Sequence, residues 1–452
     1  MFLIKEIEFI LIKENEIFML NLINAAADII DSTVYKNIKE NKFDELDSEI
    51  ISLMKERKYL FDSEDNYKKF ISEVDKKIEK LEKSATPNFL VVPSYACNLH
   101  CIYCYEQTYM IKGTTDVDPL KMVDLQFEKI DKIMKEYHEK NDISENEDIR
   151  ITIMGGEPLL RCNVKTIEYI FEQTKKRDYS LDIVSNGVDL NYFIDIFNKY
   201  KDTLKHIQIT VDGIKEIHDK RRIFHNGKGS FDLIINNIKL ALENDITIVL
   251  RVNVDETNIN ELPELADTLK QDFNGNNKLL PYLYLLQDGG CSGESNIVNE
   301  KIGIERIFEL EDKNPNMALF KKKFHPVEFI NCIFDDIPYE PVLRHCGAAK
   351  NQYILDCKSN VYKCWHGIGN NGYRIGQFYP EYNIEIDKLE NWGNRSVNHL
   401  EKCINCKYRY ICGTGCPAAK HMSEDCMDVT APSCVEYNEL IKTIILERMK
   451  RM

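Results

Sequence analysis

Residues 96–106 read Ala-Cys-Asn-Leu-His-Cys-Ile-Tyr-Cys-Tyr-Glu and place Cys97, Cys101 and Cys104 in a C-x3-C-x2-C arrangement. Three thiolates can bind three irons of a 4Fe–4S cluster and leave the fourth iron free, whereas electron-transfer clusters usually have four cysteine ligands. An open iron can bind a small molecule. Structural zinc is the alternative, but His100 is adjacent to Cys101 and would be a strained fourth ligand of a tetrahedral site.

A second motif, Gly155-Gly156-Glu157-Pro158, follows the predicted strand Ile149–Met154. Two glycines at the end of a strand allow the backbone to approach a ligand closely, and the proline restricts how the chain leaves the turn. Alone, such a tetrapeptide is an ordinary turn. Its position after the cysteine triplet favours the open cluster over zinc.

With these two motifs the chain resembles the radical S-adenosylmethionine (SAM) enzymes. The resemblance implies that the triplet holds a catalytic 4Fe–4S cluster and that the amino and carboxylate groups of SAM chelate the open iron. In that family the Gly-Gly-Glu-Pro strand end binds the amino group of SAM. The SAM contacts implied for this chain are Tyr103 near the adenine, Gly155, Gly156, Glu157 and Pro158 at the amino group, Ser185 and Arg222 at the carboxylate, and Asn186 near the ribose.

Three residues are candidates for acid or base catalysis: Glu106, Asp212 and His366. Glu106 directly follows the cluster loop, and Asp212 lies at the end of the predicted strand His206–Val211. Each also has a structural interpretation, because an aspartate commonly caps a turn and a histidine can contact a cluster sulfur.

Composition fits an oxygen-sensitive cytoplasmic enzyme. The 452 residues suffice for two or three domains, and the fifteen cysteines occur in metal-ligand spacings rather than as a disulfide framework. A net charge of −15 argues against nucleic acid as the main partner. No run of eighteen apolar residues predicts a membrane span, and acidic residues interrupt the apolar start, so no signal peptide is expected.

The predicted fold is a partial (β/α)6 TIM-like barrel between two smaller domains. Over residues 88–290 strands and helices alternate, which predicts parallel strands with right-handed crossovers. The motifs lie at the carboxyl ends of strands, where such barrels place their chemistry. Residues 291–340 are predicted to form a bridging region.

Residues 1–85 are predicted to form a separate α+β module. Phe2–Ile12 and Glu16–Leu22 predict a β-hairpin, and helical patterns follow. The module resembles the winged-helix domain of many peptide-modifying radical SAM enzymes, in which a leader peptide adds a strand to the sheet edge. A structural cap on the barrel is the alternative. The predicted helices are Thr33–Lys39, Ser48–Arg57 and Tyr67–Lys83, the last with Phe70, Val74, Ile78 and Leu81 on one face.

Residues 341–452 contain a second set of spaced cysteines, which resembles the SPASM domain and its two auxiliary 4Fe–4S clusters. A C-x2-C pair alone would equally suit zinc. The fourth ligand of the inner cluster stays open between Cys357, Cys426 and an iron left free for a substrate thiolate. The implied ligands are Cys403, Cys406, Cys412 and Cys434 for the outer cluster, and Cys346, Cys364 and Cys416 for the inner cluster.

The remaining cysteines have no assigned partner. Cys162, Cys291 and Cys332 are expected to be small buried apolar residues, and Cys426 could compete with Cys434.

The SPASM pattern has one departure in this chain. The glycine expected five residues before Cys364 is Ser359, and the neighbouring Asn360 is expected to adopt the left-handed conformation instead.

The implied activity is maturation of a ribosomally made precursor peptide by a thioether, or by a carbon–carbon or carbon–oxygen crosslink, with a flavodoxin or ferredoxin as reductant. The alternative enzyme is an anaerobic sulfatase-maturating type that forms formylglycine. That group carries an aspartate after the cysteine that corresponds to Cys364, where this chain has Trp365-His366. A non-catalytic electron carrier is disfavoured because it needs no SAM site.

Overall fold

The computed structural model describes residues 1–106, 117–141, 148–273, 275–287, 296–335, 337–419 and 428–451. Its elements fall into an N-terminal, a central and a C-terminal group along the chain. The predicted boundaries of the domains, at residues 85, 290 and 340, stay predictions. Cys291 and Cys426 lie outside the described residues.

The N-terminal group contains a three-stranded antiparallel sheet of order β2-β3-β4. The predicted hairpin is confirmed, but its first strand is divided, because Phe2 and Leu3 pair with Phe61 and Leu60 instead. The third strand, β4, was not predicted. The strands are β1 (Phe2–Leu3), β2 (Ile7–Lys13), β3 (Glu16–Asn21), β4 (Ala27–Asp31) and β5 (Leu60–Phe61), and the helices are α1 (Ser32–Lys39), α2 (Ser48–Glu56) and α3 (Glu64–Lys83).

Helix α3 buries a different residue from the one predicted in its last turn. Ile78 is buried as expected, but Leu81 is 59% exposed and Glu82 is buried in its place. Glu82 accepts hydrogen bonds from the main chain of Leu343 and Arg344. The prediction that Leu81 lies on the buried face of α3 was therefore wrong, because the last turn of the helix packs against a cationic surface.

The central group confirms the alternation of strands and helices. Seven strands of the described chain run parallel and neighbour one another in chain order, the last of them only two residues long. The strands are β6 (Asn88–Val92), β7 (Arg150–Ile153), β8 (Ser180–Ser185), β9 (Leu204–Thr210), β10 (Ile248–Val254) and β11 (Leu279–Leu285), with the short β12 (Lys321–Lys322) after β11. The helices are α4 (Pro119–Asn141), α5 (Val164–Lys176), α6 (Ile194–Lys199), α7 (Lys215–Arg221), α8 (Phe231–Glu243), α9 (Leu262–Phe273), α10 (Glu300–Lys313) and α11 (His325–Phe334).

The C-terminal group extends the same sheet. The sequence predicts a short hairpin of Gln352–Leu355 and Asn360–Tyr362, and this hairpin is present. Its first strand also pairs in parallel with β6, so that eleven strands of the described residues form one sheet. The strands are β13 (Gln352–Asp356), β14 (Asn360–Tyr362), β15 (Gly376–Gln377) and β16 (Asn383–Ile384). The helices are α12 (Ile386–Asn394), α13 (Glu401–Ile404), α14 (Arg409–Cys412) and α15 (Tyr437–Lys450).

The N-terminal and C-terminal groups share a hydrophobic core, in which Leu343, Val397 and Tyr410 pack with apolar residues of β2 and β3. In the parts of the chain that the structure describes, no helix combines the length and the apolar character needed to cross a membrane.

Candidate active site

The cysteine triplet lies in the loop that follows β6, at the carboxyl end of that strand. This loop is held to the last residue of α7 and to the chain just after it by main-chain hydrogen bonds. The His100 N–H donates to the Ile223 carbonyl at 2.6 Å, and the Ile102 N–H donates to the Arg221 carbonyl at 3.0 Å. The loop is thereby fixed at the end of the sheet where the other motifs also lie.

Cys101 and Cys104 both act electrostatically on Cys97. Burial, followed by the carboxylate of Glu157, raises the pKa of Cys97 to about 12. A bound metal centre would have to stabilise the thiolate form of Cys97 against this raised pKa, because only the thiolate is a ligand. In the described ranges no three His, Cys, Asp or Glu side chains converge on a single-ion position. A cluster whose cysteines bind different irons accepts wider spacing than one zinc ion does.

The two glycines of the Gly-Gly-Glu-Pro turn press the end of β7 against the cluster loop. A Cβ atom on Gly156 would lie 2.3 Å from the Tyr95 carbonyl oxygen and 2.5 Å from that of Ala96. Gly155 has a φ of 141°, a conformation that favours glycine. The close approach predicted toward a ligand is thus, in this structure, an approach to the backbone that carries the cysteines.

Glu157 is a buried carboxylate at the centre of the predicted SAM site. It accepts hydrogen bonds from the Ser185 hydroxyl at 2.7 Å, the Asn186 N–H at 2.5 Å and the Leu159 N–H at 2.8 Å. Burial raises the pKa of Glu157 to about 7, although these hydrogen bonds act in the opposite direction. The ends of β7 and β8 are locked together by this carboxylate.

Ser185 and Asn186 therefore already form hydrogen bonds within the protein. The Ser185 hydroxyl also accepts from the Gly187 N–H at 2.9 Å. The Asn186 side chain donates to Asn98 Oδ1 at 2.7 Å, next to Cys97. Their predicted contacts with the carboxylate and the ribose of SAM stay predictions, and their observed role is to hold Glu157 and the cluster loop.

Tyr103 and Arg222 form a second part of the predicted SAM site. Arg222 Nη1 donates to the Tyr103 hydroxyl at 2.8 Å, and Asn253 Nδ2 donates to the same hydroxyl at 3.2 Å. The Tyr103 hydroxyl in turn donates to Asp212. Arg222 Nε is buried without a hydrogen-bond partner among the described residues. An unsatisfied buried guanidinium nitrogen fits an anionic ligand, such as the carboxylate of SAM.

Asp212 lies beneath this network, fully buried. Burial acts to raise its pKa, but Arg221 and Arg222 outweigh burial and hold the pKa below its ordinary value. Its Oδ1 also accepts from the Asn253 N–H at 3.1 Å. An ionised carboxylate with these partners suits the positioning of Tyr103 and Arg222 better than proton abstraction.

The other two catalytic candidates, Glu106 and His366, lie on either side of Tyr105. The Tyr105 hydroxyl donates to Glu106 Oε1 at 3.4 Å, and its ring centroid is 4.8 Å from that of His366. Burial raises the pKa of Glu106 to about 7. Burial, with a smaller effect of Arg251, lowers the pKa of His366 to about 4. The structure therefore brings these two side chains into one region next to the cluster loop.

Sequence reasoning missed a cation on the same face of the sheet. Arg251 of β10 donates from Nε to Asn253 Oδ1 at 2.7 Å and stacks on Tyr284, with Cζ 4.1 Å from the ring centroid. Polar residues two apart in an otherwise buried parallel strand were the available signal, because alternate residues face opposite sides of a sheet. We call the side of the sheet that carries Arg251, Asn253 and Tyr103 the active-site face.

The C-terminal cysteines fall into the two predicted groups. Burial raises the pKa of Cys412 to about 12, and Cys403, Cys406 and Cys434 are the next influences on it. Burial likewise raises the pKa of Cys364, and the next influences are Cys346 and Cys416. We call these the outer group (Cys403, Cys406, Cys412 and Cys434) and the inner group (Cys346, Cys364 and Cys416).

In the C-terminal region one prediction is wrong, and one of the alternatives left open is not supported. Ser359 itself adopts the left-handed conformation, with φ of 62°, whereas Asn360 lies in β14 and its N–H donates to Asp356. The leading charges that act on Cys357 are Asp356 and Lys358 rather than other cysteines, which does not support Cys357 as an inner-group ligand.

Among the cysteines without an assigned partner, Cys162 is exposed at the 3-10 turn Arg161–Asn163, so its predicted burial was wrong. Cys332 is partly buried.

A parallel sheet with a three-cysteine loop after one strand and a buried glutamate after the next is the arrangement of enzymes that cleave SAM by radical chemistry. The sequence model of the radical SAM superfamily matches residues 91–269. These residues therefore form a radical SAM domain, and the chain is an enzyme. The cluster and SAM that this domain implies fit the residues described above.

Known proteins resemble the chain beyond this domain. It is 24% identical over 345 residues to the cysteine-type anaerobic sulfatase-maturating enzyme of Clostridium novyi, which covers 73% of this chain and 87% of the relative. The structure of anSMEcpe with bound AdoMet matches 81% of this chain and 98% of that protein, with a TM-score of 0.58 and 16% identity. Streptococcus suis SuiB bound to its precursor peptide SuiA matches 95% of this chain and 99% of that protein, with a TM-score of 0.52 and 15% identity. These structures show the fold.

Proposed function

We propose that the enzyme matures a ribosomally synthesised precursor peptide by installing a thioether, or a carbon–carbon or carbon–oxygen crosslink. The observation that carries this proposal is the N-terminal group, whose sheet has an accessible edge and whose opposite side is joined to the C-terminal cysteines. When bound, the cluster and SAM supply a 5′-deoxyadenosyl radical, which abstracts hydrogen from an unactivated C–H bond.

The accessible edge is β4. The Asn21 N–H donates to the Ala26 carbonyl at 2.8 Å. Because hydrogen-bonded and non-hydrogen-bonded pairs alternate in an antiparallel sheet, the main-chain groups of Ala27 and Ile29 face away from β3. Arg57 donates to the Ala27 carbonyl at 2.9 Å, while the Ile29 side chain is 54% exposed. Ile29 is thus the position at which an extended leader peptide can pair with the sheet.

The opposite edge, β2, faces the outer group of cysteines. Glu8 of β2 accepts hydrogen bonds from Lys407 Nζ and the Tyr408 hydroxyl, each at 2.6 Å. These two residues lie between Cys406 and Cys412 in the chain. A leader peptide bound at β4 would therefore lie on a module that directly contacts the segment carrying the outer group of cysteines.

Similarity to known structures supports a precursor peptide as the substrate. The match to SuiB with its precursor peptide spans nearly the whole chain, so it includes most of the N-terminal group. The match to anSMEcpe leaves unmatched a share of this chain that is about the size of that group.

The chain's own residues would orient SAM and substrate. Cys97, Cys101 and Cys104 would hold the catalytic cluster, and Arg222, held by Tyr103, would bind the carboxylate of SAM. Gly155, Gly156, Glu157 and Pro158 would shape the site for its amino group. Asn186, fixed by Asn98, would lie at the ribose.

We also propose that the inner and outer groups hold two auxiliary 4Fe–4S clusters. Cys416 of the inner group acts electrostatically on Tyr284, which stacks on Arg251. The inner group therefore adjoins the active-site face, where it can accept an electron from the substrate or bind its sulfur. A flavodoxin or ferredoxin would supply the reducing electron.

Formation of formylglycine is the second candidate function. The sulfatase-maturating relative favours this function, because the alignment with this chain covers most of the relative's length. Trp365-His366 at the position where that group has an aspartate counts against it.

The test combines two substrates with the anaerobically reconstituted enzyme, SAM and dithionite. One is a cysteine-containing precursor peptide encoded beside the gene, and the other is a sulfatase peptide with its target cysteine. We expect the precursor to lose two hydrogen atoms without gaining an aldehyde, because thioether formation removes one hydrogen from sulfur and one from carbon. The control is Cys97→Ala/Cys101→Ala/Cys104→Ala, which should form no deoxyadenosine. An aldehyde on the sulfatase peptide, trapped by hydroxylamine, would favour formylglycine formation.

The role of β4 is tested with Ile29→Pro beside Ile29→Ala. Proline lacks the N–H that a paired strand needs but is tolerated on an edge where that N–H faces solvent. We expect Ile29→Pro to weaken binding of a fluorescent leader peptide by tenfold or more (about 1.4 kcal/mol), and Ile29→Ala to weaken it much less. Equal binding by both variants and the parent enzyme would rule out pairing at β4.

A further inference from the structure

Arg395 follows α12 and is the largest fully buried side chain of the described chain, with 1% of its surface exposed. Its guanidinium donates to neutral acceptors only. These are the carbonyls of Val429 at 2.8 Å, Ala431 at 2.6 Å, Thr414 at 3.3 Å and Gly415 at 3.1 Å, and the Ser433 hydroxyl at 3.2 Å.

These contacts place Arg395 between the inner and outer groups of cysteines. Gly415 directly precedes Cys416 of the inner group, and Ser433 directly precedes Cys434 of the outer group. The two segments are also in contact with each other, because the Ser433 N–H donates to the Thr414 carbonyl at 2.9 Å. One guanidinium thus forms hydrogen bonds to the residue before Cys416 of the inner group and to the residue before Cys434 of the outer group.

No carboxylate of the described residues forms an ion pair with Arg395. The leading charges that act on it, after burial, are Cys346, Cys416 and Cys403, and Asp428 follows. A buried cation without a partner is strongly unfavourable. Thiolates of both groups are therefore the main compensation for this charge.

We propose that Arg395 is the shared counter-ion of the two auxiliary clusters and raises the reduction potential of both. This rests on the proposed function only in requiring that both clusters are present. Reduction adds one electron to a cluster, with no bond formed or broken, and a nearby buried cation stabilises the added negative charge. Loss of the cation therefore makes reduction less favourable.

A purely structural role would also follow from the hydrogen bonds to the carbonyls, so charge and geometry must be separated. Arg395→Lys keeps the charge but loses the planar fork, whereas Arg395→Gln keeps donors but loses the charge. Lys402→Gln is the matched control, because it removes a positive charge beside Cys403 from an exposed position, where water screens it.

The experiment measures iron and sulfide, then EPR-monitored potentiometric titration, on the full-length, anaerobically reconstituted protein. In Arg395→Gln we expect the midpoint potentials of both auxiliary clusters to become more negative, while that of the SAM-binding cluster stays unchanged. Arg395→Lys and Lys402→Gln should stay near the parent potentials. If Arg395→Gln loses iron, Arg395→Lys decides, because a counter-ion role predicts parent potentials there.

Unchanged potentials in a fully loaded Arg395→Gln protein, or a shift confined to one auxiliary cluster, would overturn the proposal. Failure of the proposed auxiliary clusters is separately visible, since the parent protein would then contain about four irons instead of about twelve (three four-iron clusters).

Discussion

Arg251 has donors to spare on the active-site face. Its Nε donates to Asn253 and its guanidinium stacks on Tyr284, while Tyr282 is a further hydrogen-bonding neighbour. A hydrogen bond from a charged donor contributes about 1.5–3 kcal/mol, which corresponds to roughly 10–150-fold in affinity. We expect Arg251→Gln to weaken peptide modification by a factor in this range and to leave deoxyadenosine formation without peptide unchanged. Arg251→Lys should recover part of the loss.

The measurement that checks Arg251 is quantitative mass spectrometry of peptide and nucleoside products, with SAM affinity determined by anaerobic calorimetry. If SAM binding falls as much as peptide modification does, Arg251 contacts SAM rather than the substrate.

Lys129 of α4 is a buried amine whose titration affects stability. It is 5% exposed, and its Nζ lies 3.4 Å from the ring centroid of Tyr382. Burial lowers the pKa of Lys129 to about 8. Between pH 8 and the ordinary value near 10.4 the unfolded chain binds more protons, so the free energy of unfolding rises with pH in this window.

We expect Lys129→Met to be more stable at pH 7, by at most about 3 kcal/mol, and to lack the rise above pH 8. Anaerobic urea unfolding at pH 7, 8 and 9.5 checks both effects. A parent protein whose stability falls over this range would contradict the assignment.

At the scale of elements, α3 is attached to the C-terminal group by buried ion pairs. Arg344 Nη1 pairs with Glu79 at 2.8 Å and with Glu82 at 2.9 Å, and Arg409 pairs with Asp75 at 3.0 Å. Removal of one partner leaves an uncompensated buried charge, which typically costs about 3–5 kcal/mol. We expect Arg344→Met to lower the free energy of unfolding by an amount near this range and to expose the segment 84–87 to proteases.

The matched control for this prediction is Lys68→Met, which breaks an exposed pair with Glu64 on the same helix and should change stability by less than about 1 kcal/mol. Replacement of Arg344 and Glu79 together by apolar residues should restore part of the loss, because Glu82 is kept for the main-chain N–H groups of Leu343 and Arg344. Limited proteolysis with urea unfolding distinguishes these outcomes. Equal effects of the two single variants would contradict a stabilising role of the buried ion pairs of Arg344.

The sequence predicted helices and strands well where the spacing of apolar residues indicates them. The sequence predicts helices over Val164–Lys176 and Phe231–Glu243, and helices α5 and α8 have these bounds. Helices α7, α10 and α11 were missed. At residue scale, Leu81 was misplaced because the surface that α3 meets comes from residues far along the chain. Ser359 takes the left-handed conformation because Asn360 is needed in the strand β14.

For the whole molecule, the grouping of the cysteines was predictable because the members of each group are close in sequence or follow a known spacing. Arg395 was not predictable as a site residue, because its partners come from other segments and nothing local distinguishes it from a surface cation. Arg251 left a weak local signal, because it and Asn253 are polar residues two apart in an otherwise buried strand. The parallel pairing of β13 with β6 was equally invisible, since neither strand carries a signal that names its partner.

That pairing has a consequence for synthesis of the protein. Strand β6, which is almost entirely buried, has β7 on one side and β13 on the other, and β13 is translated some 260 residues after β6. At 5–20 residues per second, a ribosome needs on the order of tens of seconds to reach it. During that interval the nascent chain presents an apolar unpaired strand, so slow translation or chaperone shortage should endanger this enzyme before any cluster is inserted.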